Sequence, residues 1–153
     1  MGNCRIVPLD IIRARGHRNV RATHRTTIEV TRDDFLTERG DCIIGIMSSA
    51  GLSGLRDGAK EFIRKGKEIV VLFMAGGAVD SVHCRGDERL PLSSERKMII
   101  RRSSYIDEST LCIEADKSAS SLSRELISKL SSGEELLVIL LGLDEGQQPS
   151  DPV

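Results

Sequence analysis

The sequence predicts a mainly β protein of one domain, built from two diverged copies of a unit of about seventy residues. Its 153 residues suit one ordinary domain with one core. Eight short runs of β-branched and apolar residues are bounded by turn residues, which is typical of strands. The chain also matches itself at a fixed offset, which is the signature of an internal repeat. We therefore expect four strands and one covering helix in each copy.

The internal match begins at an offset of 70, where Arg15-Gly16 falls on Arg85-Gly86 and Cys42 falls on Cys112. After the middle of the unit the offset drops to 67, and the run that begins at Gly66 matches the run that begins at Gly133. We assign repeat one to residues 10–78, repeat two to 79–143, and a polar tail to 144–153. The tail is rich in proline and polar residues, so it is expected to be mobile and without a role in function.

The predicted strands span 10–15, 26–31, 41–47, 68–75, 79–85, 97–102, 110–115 and 134–141. The second strand alternates, which predicts that Ile28 and Val30 face inward while Thr27, Glu29 and Thr31 face water or a partner. The runs 69–74 and 136–141 are apolar on both faces, which predicts that they lie centrally in a sheet or under the helices.

One helix is predicted between the third and fourth strands of each copy, because the apolar period there changes from two to about 3.6. The apolar faces contain Leu55, Phe62 and Ile63 in the first helix, and Leu122, Leu126 and Leu130 in the second. Asp116 and the serines at 118, 120 and 121 are candidate N-caps of the second helix, and Gly66 and Gly133 are placed to end the two helices.

Charge and composition exclude some partners. The 22 basic and 23 acidic residues nearly cancel, so no overall charge attracts nucleic acid or a membrane. Aromatic residues make up 3% of the chain and tryptophan is absent, so recognition of nucleic acid by base stacking is weakly supported. The first nine residues lack the apolar core of a signal peptide, and no run is long enough to span a membrane, so we expect a cytoplasmic protein.

The four cysteines, Cys4, Cys42, Cys84 and Cys112, form no C-x-x-C pair, and three lie in strand-like runs. They are expected to be reduced core thiols. The disulfides found in intracellular proteins of hyperthermophiles are the alternative.

The duplication separates scaffold from candidate site, because positions alike in both copies are explained by a shared fold. Polar residues that occur only in the first copy need another explanation. They are His17, Asn19, Thr23, His24, Thr26, Thr27, Glu29, Arg39, Gly40 and Asp41. The aligned residues of the second copy form no comparable set, so a site is expected in the first copy.

The leading interpretation is a small anionic, phosphate-bearing ligand. Five arginines and two histidines occur within thirteen residues that contain no acid, and guanidinium groups bind phosphate bidentately. The arginines are Arg13, Arg15, Arg18, Arg21 and Arg25. The predicted ligand-binding residues are Arg15, His17, Asn19, His24, Thr26 and Arg39. A solvated, arginine-rich edge that discourages strand pairing is the alternative.

A second interpretation is a metal-assisted or acid-base enzyme in which His17, His24 and Asp41, with Glu29, converge. Imidazoles with a carboxylate can hold a divalent metal or transfer protons near neutral pH. No spacing here is diagnostic, and the alternative is that His17 caps the turn after strand one while Asp41 starts strand three. Cys42 is not expected to be a nucleophile, because its match to Cys112 indicates a shared packing position.

A third interpretation is a structural or assembly module, in which the outward side chains of strand two pair with another subunit of a homo-oligomer.

Two segments carry a family resemblance: RGHRNVRATHRTT, beginning at Arg15, and LTERGDCIIG, beginning at Leu36. Together they resemble the signature of the uncharacterised archaeal domain-of-unknown-function family 371, and weaker similarity continues to about Leu141. The resemblance implies an eight-stranded β-sandwich of jelly-roll type and no established activity. Repeat two lacks histidine at positions 87 and 94, so two symmetrical sites are not expected.

Overall fold

The computed structural model describes residues 4–145 and contains eight strands and two α-helices, as the sequence predicts. The strands are β1 Arg5–Arg15, β2 Thr27–Thr31, β3 Ile43–Gly45, β4 Glu68–Ala75, β5 Ala78–Arg85, β6 Lys97–Arg101, β7 Thr110–Cys112 and β8 Glu135–Asp144. The helices are α1 Asp57–Arg64 and α2 Arg124–Ser131. None of the described helices is long and apolar enough to cross a membrane.

The strands form two four-stranded sheets. The first sheet has the order β1-β8-β4-β5 and is antiparallel throughout. The second sheet has the order β3-β2-β6-β7, with an antiparallel central pair β2/β6 and parallel pairs β2/β3 and β6/β7 at its edges. Jelly rolls are antiparallel architectures, so the two parallel pairs depart from the topology that the family resemblance implied.

The bounds of several predicted strands are corrected. β1 begins at Arg5 rather than at residue 10, because residues 5–8 pair with residues 141–144 at the end of β8, starting with Arg5 opposite Asp144. Asp144 therefore belongs to β8 and not to the predicted tail; the rest of that tail from residue 146 onward lies outside the described residues. β3 and β7 have three residues each, because the next residues, Ile46 and Ile113, bridge Arg15 and Arg85 of the first sheet.

One apolar cluster contains residues from both sheets and both helices. β4 and β8 are central strands, as predicted, but only their inner faces lie in this core. Leu136, Val138 and Leu140 of β8 are at most 2% exposed, whereas Leu137 and Ile139 are partly exposed. Of the two predicted positions, a central place in a sheet is the one observed for both strands. Phe62 of α1 packs on the inner side of β8, against Gly142.

The alternation predicted for β2 is confirmed for its apolar residues and wrong for one threonine. Ile28 and Val30 are 1% and 4% exposed. Thr27 and Glu29 are partly exposed, but Thr31 is fully buried and its hydroxyl accepts a hydrogen bond from the Asp33 N–H at 3.1 Å. Thr31 is thus unavailable to pair with another subunit.

The helix ends follow ordinary capping rules. Gly66 and Gly133 follow α1 and α2 with φ of 79° and 87°, the left-handed region that glycine adopts at low cost. The N-cap of α2 is Ser123, whose hydroxyl accepts from the Leu126 N–H; it is neither Asp116 nor one of the earlier serines. Ser118 instead caps the preceding 3₁₀ helix.

The hydrogen-bond pattern corrects the match between the two copies. Arg15 bridges Ile46, and Arg85 bridges Ile113, so the offset is 70 at the arginines but already 67 at the isoleucines. The Asp41 carbonyl accepts from Thr23 and His24, as the Glu108 carbonyl accepts from Ser93 and Ser94. Three additional residues of the first copy therefore lie between residues 36 and 41. In consequence Asp41 corresponds to the acidic Glu108, and Cys42 corresponds to Ser109 and not to Cys112.

The cysteine expectation is also corrected. Cys84 and Cys112 are buried but oxidised: they form a disulfide, with 5.8 Å between their Cα atoms, that joins β5 to β7 at neighbouring edges of the two sheets. Cys4 is exposed, and Cys42 is only partly buried; both are free thiols.

Candidate functional site

The predicted site residues lie on the segment 16–26, which connects β1 of the first sheet to β2 of the second. On one side it is hydrogen-bonded to the loop before β3: Asn19 Nδ2 donates to the Leu36 carbonyl at 2.8 Å, and the N–H groups of Thr23 and His24 donate to the Asp41 carbonyl at 3.0 and 3.2 Å. Arg39 lies on that loop, between the two attachment points. The structure thus places Asn19, His24 and the loop that carries Arg39 next to one another.

Arg124 of α2 holds the other side of this segment, and no pattern in the sequence predicts this role. Its guanidinium donates to the carbonyls of Ala22 and Ala119, the latter at 2.8 Å. The Ser120 N–H donates to the His24 carbonyl at 2.9 Å. The role of Arg124 cannot be predicted from the sequence, because an arginine that binds backbone carbonyls has no characteristic spacing.

His17 makes a tight local turn through its ring. Its Nδ1 accepts a hydrogen bond from the Asn19 N–H at 2.9 Å. In the second repeat the corresponding Asp87 Oδ1 accepts from the Arg89 N–H at 2.8 Å. The turn therefore needs an acceptor at this position but does not need an imidazole.

His24 makes a similar turn before β2. Its Nδ1 is 3.2 Å from the backbone nitrogens of both Thr26 and Thr27, which donate to it, and 3.0 Å from the Thr27 hydroxyl. The Thr26 hydroxyl lies 3.3 Å from the same atom. In the second repeat the Ser94 hydroxyl accepts from the N–H groups of Arg96 and Lys97 at 3.3 and 3.2 Å. Here too a smaller acceptor can close the same turn.

These contacts fix the chemistry of both rings. A neutral imidazole has one acceptor nitrogen and one N–H, and a backbone N–H can only donate. Because Nδ1 accepts in both His17 and His24, the proton of each neutral ring is on Nε2. Nε2 is then a hydrogen-bond donor, and it has no lone pair for a metal or for a proton from substrate.

The predicted metal or acid-base cluster is not assembled. Across residues 4–145, no three His, Cys, Asp or Glu side chains come together to hold a metal ion. His17, His24 and Asp41 therefore do not converge: each histidine serves its own turn, and it is the backbone carbonyl of Asp41, not its carboxylate, that contacts the segment.

Glu29 lies with Cys42 rather than with the histidines, and Cys42 Sγ is 3.6 Å from Glu29 Oε1. Partial burial raises the pKa of Glu29, which the charge of Lys97 opposes only in part. Burial, and then the Glu29 carboxylate, raise the pKa of the Cys42 thiol to about 11. Cys42 is therefore a protonated thiol at neutral pH and a poor nucleophile.

The arginines divide into paired and unpaired groups. Arg13 lies 3.4 Å from Glu135, and Arg21 donates to the Arg18 carbonyl at 3.1 Å. The side chains of four others, Arg15, Arg18, Arg25 and Arg39, are exposed and contact no carboxylate within residues 4–145. We call these four arginines, with His17 and His24, the basic surface.

The second repeat carries the same backbone without this excess of positive charge. Residues 15–26 contain four arginines and no acid, whereas residues 85–96 contain three arginines and three acids. Arg18 and Arg25 correspond to Glu88 and Glu95. Arg85 lies 3.2 Å from Glu114, and Arg89 lies 2.9 Å from Asp87. The charge difference is therefore specific to the first repeat.

A shallow pocket of about 290 Å³ opens between the end of α1, in the first repeat, and the turn after β5, in the second. It contains Arg64, Lys65, Arg85 and Arg89, but most of these cations are engaged. Arg64 donates to the Leu90 and Pro91 carbonyls, and Arg85 and Arg89 have carboxylate partners. This pocket is thus a poorer site for an anion than the basic surface, which lies elsewhere.

The fold and this surface define a class of protein with eight strands in two sheets and two helices. Its basic surface lies on the first crossover between the sheets and has no counterpart on the second. The chain matches the model of the family described as "Domain of unknown function (DUF371)" over residues 12–143. It is also 42% identical over 127 residues to the uncharacterized protein MJ0206 of Methanocaldococcus jannaschii, covering 83% of this chain and 94% of that relative. The chain belongs to the DUF371 family.

Proposed function

We propose that this protein binds a small anionic, phosphate-bearing ligand at the basic surface. The observation that carries the proposal is the contrast between the two repeats. The same crossover backbone carries unpaired arginines in the first repeat and arginines paired with carboxylates in the second. Unpaired guanidinium groups are available to a ligand without first losing an ion pair.

The two histidines support a ligand that accepts hydrogen bonds. Both turns are closed by smaller acceptors in the second repeat, so the imidazoles are not needed for the backbone path. Each imidazole adds an Nε2–H donor that Asp87 and Ser94 do not provide. Two such donors beside guanidinium groups match the acceptor oxygens of phosphate.

A small ligand is favoured over a nucleic acid. Base stacking relies mainly on large aromatic side chains, and the segments that form the basic surface, 15–26 and 36–41, contain no Phe, Tyr or Trp. A phosphorylated metabolite needs only a few charge-assisted hydrogen bonds, each contributing roughly 1.5–3 kcal/mol. Four guanidinium groups and two Nε2–H donors are enough for one or two phosphate groups.

The experiment is a calorimetric titration of the full chain with inorganic pyrophosphate and with a nucleoside triphosphate, at low and at high salt. The double variant Arg18→Gln/Arg25→Gln should weaken binding by about tenfold or more, equivalent to at least about 1.4 kcal/mol. The matched control, Arg89→Gln/Arg96→Gln, removes the same charge from the second repeat and should change affinity little. Equal losses in both variants, or affinity that is insensitive to salt, would contradict a specific site on the basic surface.

We further propose that the two halves descend from a duplicated unit. Equivalent bridges at Arg15 and Arg85, positive φ at Ala22 and Leu92, and the mirrored strand orders of the two sheets support this origin. On this proposal the ligand site lies in the copy whose crossover lacks acids.

A further inference from the structure

The outer face of the first sheet is an apolar surface that the described chain leaves uncovered. Successive residues of a strand point to opposite faces, and the inner set in β8 is buried in the core. The outer set lies in register across the sheet: Ile139 is between Ile11 and Leu72, and Leu137 is next to Met74. With Leu141 of β8, these residues form what we call the apolar face: Ile11, Leu72, Met74, Leu137, Ile139 and Leu141.

Water reaches this face. Ile11 is 59% exposed, and Ile6 and Val79 at its margins are 65% and 51% exposed. The four residues at its centre, Leu72, Met74, Leu137 and Ile139, are partly exposed. A contiguous apolar patch of this kind is uncommon on a monomer and marks an interaction surface.

The size of the face suits a protein partner. The outer face of the whole first sheet, with the apolar face at its centre and charged residues at its rim, measures roughly 600 Å² in projection, from four strands at ~4.8 Å spacing and about nine residues at ~3.4 Å each. A standard interface buries about 800 Å² of accessible surface on each partner. The two central strands, β4 and β8, have 8 and 10 residues, which sets the length of this face.

The charges at its margin do not favour a membrane. Arg13 is paired with Glu135, and His83 is paired with Glu68 at 2.6 Å, so acids accompany the basic groups. Adsorption to an anionic lipid surface requires an excess of Lys and Arg around the apolar residues. A second copy needs no such excess, because it presents the same apolar face.

We propose that two copies of this chain pack the apolar faces of their first sheets against each other in a two-fold dimer. Face-to-face packing of two sheets places them about 10 Å apart with their strands roughly 30° from parallel, as inside a β-sandwich. Such an isologous contact closes on itself and covers both faces at once. Apart from Arg15, at the end of β1, the residues of the basic surface lie outside the first sheet, so this dimer does not depend on the proposed anion binding.

The test is analytical ultracentrifugation of the full chain over a range of concentrations. The wild type should sediment as a dimer. Ile11→Lys places a charge on an exposed position of the apolar face, where the monomer can tolerate it, and should weaken dimerisation by about a hundredfold or more because a charge must be desolvated in the interface. Ile11→Lys/Val79→Lys, which charges both edges, should be monomeric.

Phe35→Lys is the matched control, because Phe35 is also 59% exposed but follows β2 of the second sheet. It should remain a dimer. Circular dichroism on every variant separates lost association from lost folding. A wild type that is monomeric throughout would overturn the proposal, as would a dimer that Phe35→Lys disrupts and the charges at Ile11 and Val79 do not.

Discussion

The guanidinium of Arg85 lies 3.2 Å from the carboxylate of Glu114, and the equivalent position in the first repeat is occupied by Met47. The backbone is the same at both places. Met47 and Glu114 follow the isoleucines that bridge Arg15 and Arg85, and their φ angles are 54° and 55°. Arg15 therefore lacks a carboxylate partner because of one residue and not because of a different fold.

Met47→Glu should pair with Arg15 and weaken anion binding. Met47 is 53% exposed, and its backbone conformation is one that Glu114 already tolerates, so the variant should fold normally. We expect a loss of affinity for pyrophosphate of about three- to tenfold, since one guanidinium is neutralised at an exposed site. Isothermal titration calorimetry at low salt is the measurement.

The control for this substitution is Glu114→Met, which frees Arg85 in the second repeat and should leave the affinity for pyrophosphate nearly unchanged. If Met47→Glu binds pyrophosphate as tightly as the wild type, Arg15 is not part of the ligand site.

Substitutions at His24 should separate its structural role from its chemical role. His24→Ser copies the acceptor that Ser94 supplies in the second repeat. The free energy of unfolding should therefore change by less than about 0.5 kcal/mol, while the affinity for the anion falls. His24→Ala leaves the N–H groups of Thr26 and Thr27 without this acceptor and should cost about 1–2 kcal/mol as well. Urea unfolding and pyrophosphate titration of both variants measure the two effects. Full affinity in His24→Ser would remove the imidazole from the site.

Local sequence patterns predicted the elements but not the register between the copies. β4 has the predicted bounds, 68–75, because a run of apolar and β-branched residues between Gly66 and Gly76 is a local signal. The three additional residues near Arg39 were misplaced, because Ile43 and Ile113 coincide by identity at the wrong offset. Only the bridge from Arg15 to Ile46 reveals the true correspondence, and it joins residues far apart in sequence.

The contacts of the candidate site can be predicted from the sequence only in part. The excess of arginine in residues 15–25 is visible in the sequence, but the partners of each arginine are not. Whether His17 can bind a metal through Nε2 depends on which ring nitrogen accepts the Asn19 N–H, and that is visible only in the folded turn. Thr31 was assigned to the outer face by alternation, although its hydroxyl closes a buried turn.

The disulfide should contribute much of the stability. Cys84 and Cys112 are separated by 28 residues. Closing a loop of this length lowers the entropy of the unfolded chain and stabilises the folded state by about 3–4 kcal/mol. Cys84→Ser/Cys112→Ser should lower the midpoint of guanidinium unfolding accordingly. Thiol titration of the oxidised, denatured wild type should give two free groups, Cys4 and Cys42, whereas four would show that the bond is absent. Cys42→Ser should not change stability comparably, since Cys42 is a free, partly exposed thiol.

Asp80 should make stability depend on pH at the acidic end. It joins β5 to the start of α2, accepting from Lys117 Nζ at 2.6 Å and from the Ser123 N–H at 2.7 Å. Partial burial opposes ionisation, but these hydrogen bonds outweigh it and hold the pKa of Asp80 below its usual value. Because the lowered pKa belongs to the folded state, the ionised group stabilises the fold above about pH 4, and this stabilisation is lost as the pH falls through the lowered pKa.

Asp80→Asn should therefore reduce the free energy of unfolding by about 1–3 kcal/mol at neutral pH. The difference from the wild type should stay constant down to about pH 4 and then close as the wild-type carboxylate is protonated. Asp10→Asn is the control: Asp10 accepts from the N–H of Arg56, the N-cap of α1, at 2.9 Å, but no lysine pairs with it in the described chain, so its loss should be smaller. Urea unfolding between acidic and neutral pH tests both variants. A gap for Asp80→Asn that persists at the lowest pH would mean that lost packing, and not the charge of Asp80, stabilises the link between β5 and α2.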